Sequence, residues 1–497
     1  MAKSKKAEKK SNRSLALQRA LARRKRRAKQ RGIALIMVLG AISILIVFLS
    51  ELQTDTSAAL AGALADRDRL KAEYYAKSAV NLSRMLLSSE KFIRTEPAVA
   101  LLFQMMGMSK APQIPVWEFS DLVLGAFNGG DRATSFGTNV GVDLSTGKNI
   151  GIPGKDYFTA TIIDEDSKIN LNTASSAAPP VHLMMQLATL LGQPQYAPMF
   201  EQRDADEQFS DAATVCGALI DWADPDENLT SCADPKKPAA GAEDNIYQMI
   251  GLDYRRKNAA FDSLDELRLI RGIDDDRWAT FVDPDPNDPH KRLVTVWGQD
   301  VTGNSVNLNT ANAQTLWSIV CSVAAPQTPI CTDPLQAAAF LQVMTLVRTF
   351  LRGVPLFPSW SAFKKALQGQ GPVGTMMASL GVPPVTFDPS FTNSQLKKLF
   401  KTESKMFSIY VEGVVPGKQR EARVRIHAVI DMREAVPWSQ LAAQNQQAAL
   451  GSTARQPVPG DTPANQAAAD ENLPVDEEFL KELKSNPFGT VVYYRVD

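Results

Sequence analysis

The stretch Arg31-Gly32-Ile33-Ala34-Leu35-Ile36-Met37-Val38-Leu39-Gly40 opens an uncharged run that lasts to Ser50. A dense set of Lys and Arg precedes it, and polar chemistry resumes at Glu51. The run is long enough for the ~18 residues that a helix needs to cross a hydrocarbon core. Basic residues packed on its N-terminal side hold that end in the cytoplasm, which sends the bulk of the chain across the membrane.

The helix continues beyond the apolar run. Neither Gly nor Pro interrupts 63–89, and Leu64, Leu70, Tyr74, Tyr75, Val80, Leu82 and Met85 recur at roughly helical intervals. A continuous helix over 33–88 would extend about 84 Å at ~1.5 Å per residue, which makes a spine rather than a short anchor.

Composition sharpens this reading. The chain of 497 residues exceeds the size at which one core stops growing, so it holds more than one domain. Its 54 basic and 54 acidic residues balance, but unevenly along the chain. Residues 1–32 hold fourteen Lys and Arg against the single acid Glu8, leaving 33–497 with 40 basic against 53 acidic residues, a net of −13. The exported part should therefore repel nucleic acid, whereas the leader suits anionic lipid beside the span.

Past the helix, residues 89–155 read as an irregular, Gly-containing insertion with a short helix near Val99–Met106. Tyr157-Phe158-Thr159-Ala160-Thr161-Ile162-Ile163-Asp164 alternates and is β-branched, as a strand requires. Asp164-Glu165-Asp166-Ser167-Lys168 then turns the chain into Ile169-Asn170-Leu171-Asn172-Thr173-Ala174. That hexamer nearly recurs as Val306-Asn307-Leu308-Asn309-Thr310-Ala311, which marks two related helical lobes, 169–305 and 306–400. In each, Asn or Thr suits an extended entry that caps the following helix. Near the C-terminus, 407–415 and Ala422–Met432 read as a hairpin, 435–487 as a flexible Ala-, Gln- and Pro-rich insertion, and 490–496 as a final strand.

No catalytic set emerges. His182, His290 and His427 lie far apart and belong to no HExxH or Ser-triad pattern. The phosphate-loop look of Gly141…Gly147-Lys148 fails on spacing and on Asn149, where Ser or Thr is needed. The segment Leu264–Ile273 looks like a helix-hairpin-helix unit, many of which hold DNA. The acids Asp274–Asp276 follow it, however, and the paired glycines of a phosphate-binding hairpin are missing. A packing role fits better.

Two further features remain. Asp221, Asp224, Asp226 and Glu227 crowd a Pro-containing loop, and Glu243 and Asp244 return nearby. Clustered oxygen ligands in an exported protein suit calcium, although the EF-hand spacing is missing and a solvated acidic loop is the alternative. The four cysteines Cys216, Cys232, Cys321 and Cys331 form no CxxC, and an even count outside the cytoplasm favours disulfides. The sequence-local pairs Cys216–Cys232 and Cys321–Cys331 are the first choice among three connectivities.

The phrases DEDSKINLNTA (164–174), LIDWADPDE (219–227), GAEDNIY (241–247), FDSLDELRLIRGI (261–273) and VNLNTANAQTL (306–316) occur in the order found in the type II secretion K pseudopilin family, which this chain resembles over most of 31–434 and in its last strand. The leader likewise resembles a prepilin site, where a membrane peptidase cuts after Gly32 and methylates Ile33. Most such proteins carry Glu at the fifth mature position; here it is Met37, and the K component is known for lacking that Glu.

The resemblance implies an α+β fold: a transmembrane and spine helix packed on a small antiparallel sheet, with an inserted helical domain of two SAM-like or helix-hairpin-helix-like lobes. It divides the chain into a cleaved leader (1–32), spine (33–88), irregular insertion with the first strands (89–168), lobes (169–305 and 306–400), hairpin (401–434), flexible insertion (435–487) and final strand (488–497). It implies a non-enzymatic minor pseudopilin, anchored in the inner membrane with its bulk in the periplasm, that caps the tip of the secretion pseudopilus. It also implies calcium in the helical domain, prepilin peptidase as processing enzyme, and I- and J-type minor pseudopilins as partners through helix and sheet. The long leader, the loop carrying Cys232 and residues 435–487 depart from the family pattern. The alternative is a membrane-tethered helix-hairpin-helix protein binding DNA, which the net of −13 opposes.

Overall fold

The computed structural model describes residues 2–497 except 106–107, 109–110, 129–151, 153–154, 177–179, 205–206, 234–246, 248, 250–253, 299–303, 351–352, 418–419 and 436–485; at 2–12 and 27–34 it describes backbone only. Residues 1–71 and 72–497 form two separate units. Helix α1 spans Ala2–Thr95. In the first unit its described side chains are exposed almost throughout, including every apolar side chain from Leu35 to Leu49. The stretch beginning at Leu35 is long and apolar enough to cross a membrane.

In the second unit α1 buries a stripe formed by Ala72, Ala76, Ala79, Val80, Ser83, Leu86, Leu87 and Glu90. Steps of three and four residues keep these on one face. That face covers a four-stranded antiparallel sheet of order β1-β6-β7-β8, with β1 Tyr157–Asp164, β6 Met406–Val415, β7 Ala422–Asp431 and β8 Thr490–Val496. Phe158, Ala160 and Ile162 alternate toward the helix, as do Phe407, Ile409 and Val411, and then Ile426, Ala428 and Ile430. Gly413 is required where the two layers meet: a Cβ there would collide with the carbonyl oxygen of Ala72. The helix outruns its expected end at Ser88 because Glu90 accepts from Ile114 N at 3.0 Å and pairs with Arg94, itself held by Glu403 at 2.7 Å. It stops at Thr95, just short of the Glu96-Pro97 step that disfavours helix.

Residues 165–405 are inserted between β1 and β6, which are hydrogen-bonded neighbours paired from Tyr157↔Val414 to Asp164↔Phe407. The insertion holds two cores. One gathers residues from Ile169 to Val296 around Leu187, Leu219 and Phe281; the other runs from Val306 to Phe400 around Leu316, Phe340 and Phe363.

The repeated hexamer plays the same part in both. β2 (Ile169–Asn170) pairs in parallel with β3 (Val294–Thr295), and β4 (Val306–Asn307) with β5 (Phe400–Lys401). In lobe 1 the Asn172 amide accepts from Phe261 N at 2.6 Å and donates to Phe261 O at 3.0 Å. In lobe 2 the Asn309 amide accepts from Phe357 N at 2.9 Å and donates to Phe357 O at 3.0 Å. The second Asn of each repeat thus grips a distant backbone segment by both its polar groups.

In lobe 1 the expected Asn cap is present, on a 3-10 helix: Asn170, in extended backbone, accepts from Asn172 N at the start of Leu171–Ser175. In lobe 2 Asn307 accepts from Asn309 N, and the α-helix Ala313–Ser322 is capped separately by Asn312 through Thr315 N. In Leu264–Ile273 the first helical stretch is a 3-10 helix, Leu264–Leu269, ending in the extended Ile270, and the turn after it carries Gly272 in a left-handed conformation at φ +77°.

Candidate functional site: anchor, buried clasp and acidic loop

Gly32 and Ile33 lie in the helical backbone of α1, and their side chains fall outside the described residues. Met37, five positions into the apolar run counted from Ile33, stands exposed among other apolar side chains. No charge accompanies it between Leu35 and Ser50.

Where β1 ends, three consecutive acids are buried: Asp164, Glu165 and Asp166 are 4%, 2% and 1% exposed. Buried carboxylates persist only when paired and hydrogen-bonded, and each here reaches a different part of the insertion. Asp164 accepts from Ser404 Oγ at 2.5 Å and from Thr310 Oγ1 of lobe 2. Glu165 pairs with Lys168 at 3.1 Å and accepts from Thr295 Oγ1 of lobe 1 at 2.5 Å. Asp166 takes the Lys401 ammonium at 2.9 Å and the backbone N–H groups of Lys405 and Met406 at 2.6 and 3.1 Å. Burial, and then the charge of Asp166, pushes the Asp164 carboxyl upward. The three acids form a clasp that holds both ends of the insertion against the sheet. Sequence reading took them only for a turn. The available signal was Lys168, three residues after Glu165, which places a cation within reach of the turn.

The acidic loop follows the helix Ala212–Asp221, whose N-terminus is capped by Asp211 through Thr214 N at 2.8 Å. A disulfide joins Cys216 in this helix to Cys232 beyond the loop. Gly217 lets the returning chain approach, since a Cβ there would press on the Thr230 carbonyl at 2.6 Å. A second disulfide, Cys321–Cys331, closes a connection in lobe 2.

Asp221 and Asp224 are each 5% exposed. Asp221 accepts from Thr230 N at 2.9 Å, and burial pushes its carboxyl up to about 6. Burial, reinforced by the charges of Asp221 and Asp226, pushes Asp224 up to about 7. The Oδ1 of Asp224 has no hydrogen-bond partner among the described residues. Asp226 and Glu227 are exposed, and Asp226 accepts from Asn228 N at 2.7 Å. The structure thus groups Asp221, Asp224 and Asp226 and leaves Glu227 at the rim, while Glu243 and Asp244 fall outside the described residues. Among the described residues no group of three or more metal-ligating side chains is close enough to hold an ion by itself.

Comparison with known proteins follows this geometry. The family described as "Type II secretion system (T2SS), protein K" matches residues 167–281, from the clasp through most of lobe 1. Type II secretion system protein K of Pectobacterium carotovorum subsp. carotovorum is 24% identical over 292 residues, 57% of this chain and 67% of that relative. Among solved structures, a chain from the crystal structure of the GspK-GspI-GspJ complex of the enterotoxigenic Escherichia coli type 2 secretion system aligns with a TM-score of 0.41 and 15% identity. The alignment covers 74% of this chain and 93% of that one.

Proposed function

Because the chain belongs to the type II secretion system protein K family, we propose that this minor pseudopilin caps the tip of the short filament that drives folded proteins through the outer membrane. The family is a structural component of secretion, and the role assigned here is assembly rather than catalysis. Gly32 is the cleavage position for prepilin peptidase, and Ile33 is the methylated first residue of the mature chain. The apolar part of α1 holds the protein in the inner membrane, with the bulk of the chain in the periplasm. I- and J-type minor pseudopilins pack against α1 and the sheet.

The observation that carries the tip reading is where the insertion leaves the sheet. Gly413 of β6 lies against Ala72, at the start of the second unit, whereas the clasp end of β6 lies beside Glu90 and Arg94, joined there by the Arg94–Glu403 pair at 2.7 Å. Both ends of the insertion therefore emerge beside the C-terminal end of α1, near Glu90 and Arg94, where lobes of this size would obstruct a following subunit. Met37 agrees with this position: a terminal subunit has no neighbour above it whose N-terminal ammonium needs a carboxylate. The lobes act as SAM-like packing modules, and the net of −13 over 33–497 opposes a DNA-holding role.

The acidic loop fits a calcium ion, because it buries a carboxylate oxygen of Asp224 with no partner among the described residues beside two further carboxylates. Asp221, Asp224 and Asp226 would hold the ion, with Glu227, Glu243 and Asp244 as further ligands. Bound calcium would neutralise the crowded carboxylates and brace the loop that Cys232 already ties down.

The test of the tip position is immunogold labelling of pseudopili from cells carrying an epitope in lobe 2. Label confined to one fibre end is expected; label distributed along the fibre would sink the proposal.

A further inference from the structure

The two edges of the sheet are treated differently by the chain. The β1 edge is plugged by the protein itself: Asn128 donates to Phe158 O at 2.8 Å and accepts from Phe158 N at 2.8 Å, and Ser120 Oγ donates to Ala160 O at 3.3 Å. The β8 edge has no such cover among the described residues. Arg425 and Asp497 exchange both backbone hydrogen bonds, at 3.1 and 2.9 Å. The antiparallel alternation then turns the N–H and C=O groups of Val496 and Tyr494 outward, away from β7.

Native proteins blunt exposed edges with Lys, Pro, bulges on the open side or a covering element. The segment Thr490-Val491-Val492-Tyr493-Tyr494-Arg495-Val496 has neither Lys nor Pro. Its one irregularity is a bulge at Val492, the extra β8 residue between the pairs Val429↔Tyr493 and Ile430↔Val491, and the Tyr494–Val496 end beyond it stays in regular register. Arg495 is turned to the other face, where it pairs with Asp265 at 3.0 Å. Beside the open edge lies an apolar shelf. Tyr494 and Val496 are 45% and 46% exposed, and Tyr494 faces Lys77 and Glu73 of α1. Lys77 in turn lies 5.5 Å from the ring of Tyr74, which is 60% exposed.

We propose that the β8 edge is a docking site for an extended strand of a neighbouring minor pseudopilin, which adds a fifth strand at Tyr494 and Val496 and rests its side chains on the Tyr74–Tyr494 shelf. An open main-chain ladder selects an extended segment over a helix, and alternate apolar side chains fit the shelf. This rests on the filament role proposed above and specifies how one neighbour is held.

The test uses the full-length chain in detergent, alone and saturated with the I-type and J-type minor pseudopilins of its own cell. Residue-resolved amide exchange should show Tyr494 and Val496 N–H open in the isolated chain and slowed at least tenfold on assembly. Val496→Pro removes one outward donor without breaking a bond to β7, as edge strands tolerate; it should weaken capture of the partner about tenfold, whereas Val496→Ala should not. Assembly that leaves both amides open, or equal capture by V496P and wild type, overturns the inference while sparing the filament role. Amides already protected in the isolated chain, whether by residues 436–485 or by a second copy at high concentration, overturn it equally. If wild type binds neither partner, the filament reading falls first and this one with it.

Discussion

The Ser404 hydroxyl donates to the Asp164 carboxylate at 2.5 Å, joining the last residue of β1 to the chain just ahead of β6 across 240 residues of sequence. The contact closes the stem of the insertion. It sets the direction in which both lobes leave the sheet, on which the tip proposal depends.

The clasp predicts a large cost for removing one acid. Asp166 accepts from the backbone N–H groups of Lys405 and Met406 and pairs with Lys401 at 2.9 Å. Asp166→Ala leaves two backbone amides without this acceptor and removes one contact of the partly buried Lys401, so the second unit should lose ~1–3 kcal/mol. Urea unfolding of the full chain in detergent measures this, and proteolysis should open first between Lys401 and Lys405. A loss below ~1 kcal/mol would mean that the acids do not hold the stem.

The Cys216–Cys232 disulfide closes a connection with a sequence separation of 16. Chain entropy alone assigns such a crosslink ~3 kcal/mol. Replacing both residues with Ser should lower the urea midpoint accordingly. The same change at Cys321 and Cys331, separated by 10, should cost slightly less on this entropic account. A double variant at 216 and 232 as stable as wild type would show that the acidic loop is braced by other contacts.

Calcium and the loop carboxylates are linked through Asp224. Adding calcium to chelator-treated protein should raise the melting temperature, and Asp224→Asn should abolish the rise. In chelator the sign reverses. Burial and the neighbouring carboxylates disfavour the Asp224 charge, so Asp224→Asn at pH 8 should match or exceed wild type in stability. A wild-type melting temperature indifferent to calcium would remove the metal from the account.

His427 supplies a pH dependence. Its ring stacks on Tyr410 at 4.1 Å and meets Trp297 at 5.3 Å. Burial pushes its imidazole down to about 4, against the opposing charge of Glu165 and with the cations Arg292, Lys168 and Arg495 nearby. The unfolded chain therefore takes up the proton first. The stability this group contributes is complete above about 6.5 and is lost as pH falls toward about 4, a span worth ~3 kcal/mol. Urea midpoints of wild type and His427→Phe should differ only by a constant packing term above about pH 6.5 and diverge most near pH 4, where wild type alone has lost this contribution. Parallel profiles would contradict the assignment.

Much of the architecture was legible because its signals are local. The apolar run after Gly32, the alternation in Tyr157–Asp164 and the hairpin around Pro416 each declare themselves within a few residues. The paired hexamers announced two related lobes, but not that Asn172 and Asn309 grip Phe261 and Phe357, because such a grip spans 89 and 48 residues. The clasp was illegible for the same reason. Asp164, Glu165 and Asp166 find their partners at Ser404, Thr295 and Lys401, and only the folded chain brings these within reach of the turn. The apolar spacing of Leu264–Ile273 announces a helical segment but not its form, a short 3-10 helix over Leu264–Leu269 followed by a turn with left-handed Gly272.

The central claim is that α1 is a processed pilin-type helix, and intact mass with N-terminal sequencing of the protein from its native membranes tests it most directly. A mature chain beginning at N-methylated Ile33 is predicted. A retained Met1, or a cut near Ala61–Ala65, would contradict it and leave an ordinary anchor or signal sequence in place of a filament subunit.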